Sequence, residues 1–75
     1  MNLDGQRFLQ ERGGRLRQRR ERLGWTQAGL GQRCGLHRTF IGSVERGERN
    51  VSLLNLRAIA RALRIAPAEL LNESA

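Results

Sequence analysis

The sequence predicts a compact all-α domain of five helices, two of them joined by a tight glycine turn. Apolar residues recur at helical spacing, helix-start and helix-stop residues punctuate the chain at short intervals, and no run carries the period-two pattern of a strand. Helices are expected over about residues 6–23, 27–34, 38–46, 52–64 and 67–72, all within one domain spanning 1–75. A chain of this length is too short for a large core or for an enclosed active site of ordinary size.

The first helix places Leu9, Leu16 and Leu23 at heptad spacing on one side. Gly13 and Gly14 interrupt it, each costing about 0.5–1 kcal/mol relative to alanine. The reading is therefore of a bent or frayed part before Gly13 and a firmer part from Arg15. Five arginines in the eight residues RLRQRRER, 15–22, form either a phosphate-facing patch or a solvated helix face. Gly24 ends the helix, and Trp25, the sole tryptophan, is read as core packing.

Thr26 is a good N-cap, 27–34 is long enough for two helical turns, and Gly35 stands where a left-handed C-terminal residue is wanted. Gln27 sits at the helix N-terminus and Leu30 faces inward. Gly29 and Gly31 lower the propensity of this segment, so its neighbours must hold it. Leu36 and His37 fill the turn, a third helix runs from Arg38 to Arg46, and Gly47 supplies the next stop. At about 100° per residue, Phe40, Ile41 and Val44 share one face of that third helix, while Arg38, Thr39, Gly42, Ser43 and Arg46 share the other. The outer face is polar, basic and short. A B-DNA major groove admits one such helix, and an arginine at its leading end can meet guanine O6 and N7 in bidentate fashion. Arg38 is placed for that contact.

After the polar connection ERNVS, Ser52 caps a fourth helix, with Val51 and Leu56 at the two positions of a hydrophobic staple. Leu53, Leu56, Ile59, Ala60 and Leu63 read as its apolar stripe, and Leu54 lies off it beside Arg57 and Arg61. Pro67 suits the first position of a last short helix presenting Leu70 and Leu71, after which 73–75 should fray.

Fourteen basic residues, all arginine, face seven acids, for a net charge of +7. That balance favours a polyanionic partner. The single Cys34 excludes an intramolecular disulfide, which leaves oligomerisation as the means of adding stability to so small a core. No apolar run is long enough to span a membrane and Met1 opens no signal-peptide pattern, so a cytoplasmic protein is expected. Cys34 and His37 make a C-x-x-H, yet a closed zinc site needs four ligands and the chain has no other Cys or His. Glu11, Glu21, Glu45, Glu48 and Glu69 are spread through helices and turns with no nucleophile and base beside them. Neither an enzyme nor a metal or other cofactor is expected.

The pattern RLRxxR, GWTQxxL, CGLHRTFIGSVERGERNVSLLNL, AxAL and PAELL closely resembles the phage repressor and Cro family of helix-turn-helix regulators, from Gly13 to Leu71. Within it, LHRTFIGSVERGERNVSL is most similar to the controller proteins of bacterial restriction-modification systems. The resemblance implies a lambda-repressor-like fold and a sequence-specific transcriptional regulator that binds a palindromic operator as a homodimer. On matching positions it implies that Arg38, Thr39 and Ser43 meet base edges and that Thr26, Gln27, Arg46, Arg49 and Asn50 hold phosphates. It further implies a structural ion pair between Arg20 and Glu45 and dimerisation through Leu54, Ile65, Leu70 and Leu71. The partners implied are double-stranded DNA, a second copy and RNA polymerase at the controlled promoter.

The chain departs from the family pattern at six positions: Arg19 where an apolar residue is usual, Gly29 for an acid, Gly31 for alanine, His37 for a serine or aspartate cap, Phe40 for tyrosine, and Ala66 for a capping serine. A phage-type repressor or an antitoxin-type autoregulator remains open from the residues alone. From other classes, so do a protein-interaction module and a sequence-independent nucleic-acid binder.

Overall fold

A computed structural model of the protein describes residues 3–72. The five helices are α1 (Leu3–Arg22), α2 (Gln27–Cys34), α3 (Arg38–Glu45), α4 (Leu53–Ala62) and α5 (Pro67–Leu71). The fraying expected of 73–75 lies outside the described residues. α1 is about 30 Å long at 1.5 Å per residue, which nearly matches the 32 Å long axis of the molecule. α3 and α5 pack against it, α2 packs on α3 and α4, and α4 packs on α5. Their meeting point is a core of Leu16, Leu30, Ile41, Val44, Ile59, Ala60, Leu63 and Leu70.

α1 is one uninterrupted helix of twenty residues, not the broken one that its glycines suggest. The reason lies in packing. A Cβ on Gly13 would sit 2.3 Å from the Val44 carbonyl oxygen and 2.5 Å from that of Glu45. Glycine is required there because the end of the α3 backbone lies directly against α1, and that close approach offsets the propensity cost. Gly14 gains nothing comparable, since a Cβ there would meet no atom within 4 Å.

The remaining helix ends follow the sequence. Thr26 Oγ1 accepts the Gly29 N–H at 2.9 Å, and Gly35 ends α2 with φ 75°. Ser52 Oγ accepts the Asn55 N–H, and Val51 and Leu56, the two staple positions, are both partly buried against the core. α4 stops at Ala62 rather than near Arg64. Arg64 takes a left-handed φ of 62°, and the Ile65 N–H bonds to Ala60 O while the Arg64 N–H bonds to Arg61 O. This is a Schellman end with arginine in the place glycine usually fills. Ala66 caps α5 without any side-chain hydrogen bond.

Two leucines differ in burial from what is expected of them. Leu53, read as part of the α4 stripe, is 79% exposed, whereas Leu70, read as a dimer contact, is 3% exposed and belongs to the core. α5 is only five residues long, and it stays on the domain by inserting Leu70. Leu53 occupies the first turn of α4, and the buried stripe begins one turn later, at Leu56.

Candidate nucleic-acid interface

α2, the Gly35 turn and α3 stand on α1 through one carboxylate. Arg20 grips Glu45 in a fork, with Nε 2.6 Å from Oε2 and Nη2 3.0 Å from Oε1. Its Nη1 donates to the Trp25 carbonyl at 2.7 Å, and the Gln27 amide nitrogen donates to Glu45 Oε1 at 3.1 Å. The side chains are only 9% and 3% exposed. The hydrogen bond to Glu45 raises the Arg20 pKa against the opposing effect of burial. A bidentate charged pair in such surroundings is strong and strict in geometry. It ties the C-terminal end of α3 to α1 and, through Gln27, to α2.

The N-terminal end of α3 is open. Arg38 and Thr39, its first two residues, are exposed, and with Gln27, Gly42 and Arg46 they line a shallow depression on the surface. Gly42 forms its floor, beneath the Gln27 amide and the Arg46 guanidinium. His37 caps the helix by accepting the Thr39 N–H on Nδ1 at 3.1 Å, and the Thr39 hydroxyl lies 2.8 Å from the same nitrogen. The family pattern already sets His37 at the N-cap position; what only three dimensions show is that its ring nitrogen makes the cap bond, histidine not being among the favoured N-cap residues.

Ser43 does not share this open face. It is 8% exposed, and its hydroxyl donates to the Phe40 carbonyl at 2.7 Å while accepting from Arg49 Nε at 3.0 Å. The helical wheel assigned Ser43 to the polar face correctly, but Arg49 folds back over that part of it, with its guanidinium 5.3 Å from the centre of the Phe40 ring. Ser43 therefore positions Arg49 and leaves the set of residues able to meet a base edge.

Groups of a kind suited to an anion stand at the start of α2 and past the far end of α3. The first N–H groups of α2 emerge at Thr26 and Gln27, where a helix N-terminus favours an anion. Arg46, Arg49 and Asn50 are exposed just past the end of α3. Arg46 Nε lies 3.1 Å from Glu48 Oε2. That hydrogen bond raises the Arg46 pKa and lowers that of Glu48.

The arginine run 15–22 is not one patch. Arg20 is buried on Glu45, Arg19 donates to the Leu63 carbonyl at the end of α4 at 3.0 Å, and Arg17 pairs with Glu21 one turn along. Residues 100° apart on a helix cannot all face one surface. Cys34 is half-buried with its Sγ 3.8 Å from the Gly31 carbonyl, and burial pushes its thiol pKa up, as suits a small packing residue. Trp25 packs at the core edge with the Arg33 guanidinium 4.0 Å over its ring.

Residues 16–70 match the helix-turn-helix family model, which takes in the C-terminal part of α1, the whole of the α2-turn-α3 unit, α4 and all but the last residue of α5. The chain belongs to the helix-turn-helix family. It is similar to the control protein C.BamHI of Bacillus amyloliquefaciens, 49% identical over 47 residues covering 63% of this chain and 58% of that protein. The chain spans roughly half the length of the curated relatives it matches. Among solved structures it is similar to the restriction-modification controller protein C.AhdI from Aeromonas hydrophila, with TM-score 0.81 and 48% identity over 83% of this chain and 94% of that one. It is also similar to the P22 c2 repressor solved in complex with a synthetic operator, with TM-score 0.78 and 38% identity over 81% and 92% of the two chains. The helix-turn-helix of this chain is the unit assembled above from Thr26 to Arg46.

Within it the structure brings Arg38 and Thr39 together on the open end with Gln27 and Arg46 beside them, while Arg49 and Asn50 lie apart from them, in a second groove lined also by Phe8, Leu9 and Arg12 of α1. Gln27 also bonds to Glu45, a contact that the sequence did not reveal. Leu54 and Leu71 are exposed, Ile65 is half-buried, and Leu53 joins the exposed set on α4. Among the described residues no helix is long and apolar enough to cross a membrane.

Proposed function

We propose that this chain is a sequence-specific DNA-binding regulator that acts as a homodimer on a palindromic operator, in the manner of a restriction-modification controller protein. The observation that carries the reading is the contrast between the two ends of α3. One end is locked by the Arg20–Glu45 fork, and the other holds Arg38 and Thr39 out to solvent among candidate phosphate contacts. That is the division between reading and positioning that DNA recognition demands. Relatives named as control proteins, and a structural neighbour solved on an operator, support it.

In this reading Arg38 meets guanine, Thr39 meets the neighbouring base, and Thr26, Gln27, Arg46, Arg49 and Asn50 hold the backbone. Leu54 and Leu71, with Leu53 beside them on the chain, supply the apolar side chains for a second copy. A protomer whose longest dimension is 32 Å suits half-sites one helical turn, about 34 Å, apart. RNA polymerase is then the further partner at the controlled promoter, and the cytoplasm is where the protein meets its DNA.

The test is selection of a preferred duplex from random DNA, followed by affinities for the winner and a scrambled duplex at two salt concentrations. A two-fold symmetric winner preferred by roughly 10³ or more supports the proposal. Arg38→Ala should then lose about 1–3 kcal/mol of discrimination at one base position per half-site, whereas Arg49→Ala should weaken all sequences alike. Tight binding without a winner would replace the proposal with a sequence-independent nucleic-acid binder, and absence of binding at low salt would favour a protein-interaction module.

A further inference from the structure

We propose that His37 sets the hydrogen-bond polarity of Thr39, so that Thr39 meets the major groove only as an acceptor and selects a base carrying an amino group. The proposal rests on the reading that the N-terminal end of α3 enters that groove. It begins with a single nitrogen. His37 Nδ1 lies 3.1 Å from the Thr39 backbone nitrogen, whose hydrogen points at it. An N–H facing Nδ1 requires a lone pair there, so in the neutral imidazole the ring hydrogen sits on Nε2.

The Thr39 hydroxyl oxygen is 2.8 Å from the same Nδ1. Two groups at that separation need one hydrogen between them, and Nδ1 has none to give. The hydroxyl therefore donates inward, in a three-centre arrangement with the backbone N–H. Its two lone pairs and its methyl group are what remain for the outside, and Thr39 is exposed. A threonine whose hydroxyl rotates freely can pair with either a donor or an acceptor on a base edge. With the hydrogen held by His37 it pairs with cytosine N4 or adenine N6, and faces guanine O6 or thymine O4 with lone pair against lone pair.

The neighbouring Arg38 carries the opposite polarity, since a guanidinium has only donors. The leading turn of α3 thus presents a donor-only residue followed by an acceptor-only one. His37 makes no base contact in this scheme. It is a positioning residue, and its ring reaches Thr39 because Nδ1 lies two bonds beyond Cβ. The oxygen of a serine cap, one bond beyond Cβ, is too short to hold both groups. An asparagine carries its carbonyl oxygen where His37 carries Nδ1.

The experiment measures the full chain against the selected duplex and a set in which each base pair of one half-site is replaced in turn. Wild type, Thr39→Val, His37→Ser and His37→Asn are compared, with thermal melts to establish that each is folded; serine and asparagine are both good caps. Wild type should prefer an amino-bearing base at one position per half-site by about tenfold. Thr39→Val should abolish that preference, His37→Ser should reduce it to within about threefold while the Arg38 position stays selective, and His37→Asn should restore it. Full preference in His37→Ser would overturn the role of His37. Unchanged preference in Thr39→Val would overturn the role of Thr39. If wild type selects no duplex at all, the failure lies with the proposed function, not with the polarity of Thr39.

Discussion

Gly13 and Gly14 are adjacent in α1, and replacing each with alanine should move stability in opposite directions. Alanine gains about 0.5–1 kcal/mol over glycine in a helix interior. At Gly14 the new Cβ meets nothing within 4 Å, so the whole gain is realised. For a domain of this size it raises the Tm by roughly 2–8 °C. At Gly13 the same gain is opposed by contacts of 2.3, 2.5 and 2.8 Å to backbone atoms of Val44 and Glu45. Backbone has no rotamer in which to step aside, so α3 must retreat from α1 by about 1 Å to regain ordinary contact. Overpacking of this kind costs about 1–3 kcal/mol, and the Arg20–Glu45 fork, 2.6 Å at its shorter bond, resists the same displacement. The net expectation is a loss of about 1 kcal/mol and a fall in Tm of roughly 4–8 °C. Urea and thermal unfolding followed by circular dichroism will read both changes. A Gly13→Ala protein as stable as Gly14→Ala would refute the close approach of the two helices.

Further substitutions probe the buried ion pair, the helix ends and the proposed phosphate contacts. Glu45→Ala leaves Arg20 buried without its partner and should cost about 3–5 kcal/mol, close to the whole stability of a small domain, whereas Arg20→Met with Glu45→Met should cost clearly less; a double-mutant cycle in urea measures both. Arg64→Gly relieves the left-handed φ of 62°, and Ala66→Ser provides the missing cap of α5; each should stabilise by about 1 kcal/mol, visible as a rise in Tm. Glu48→Gln releases Arg46 from an exposed pair and should tighten binding to specific and random DNA alike, by about threefold at low salt and less at high salt. The lowered Glu48 pKa has a defined sign as well. Its unfolded state takes up protons first, so the small stabilisation from the pair is present above the ordinary carboxylate range and fades as pH falls through the lowered value.

All five helices are legible from spacing, caps and stops, because those signals are local. Thr26, Ser52 and Gly35 act within one turn of where they stand. The open end of α3 is legible for the same reason, since Arg38 and Thr39 are its first two residues and both are exposed. The pairing of Arg20 with Glu45 came from resemblance rather than from any local pattern, and the structure shows why it matters.

Periodicity places a residue on a face of its own helix, but which face is covered depends on what packs there. The sequence by itself therefore determined the helices, their polar and apolar sides and the basic character of the surface. Only the tertiary structure decided that Ser43 lies under Arg49, that Leu70 enters the core while Leu53 stays outside it, and that the arginines of 15–22 part company. It also decided that Gly13 is a contact rather than a weakness. Each of these depends on the distance between chain segments far apart in sequence, and burial is a property of that distance, not of the residue.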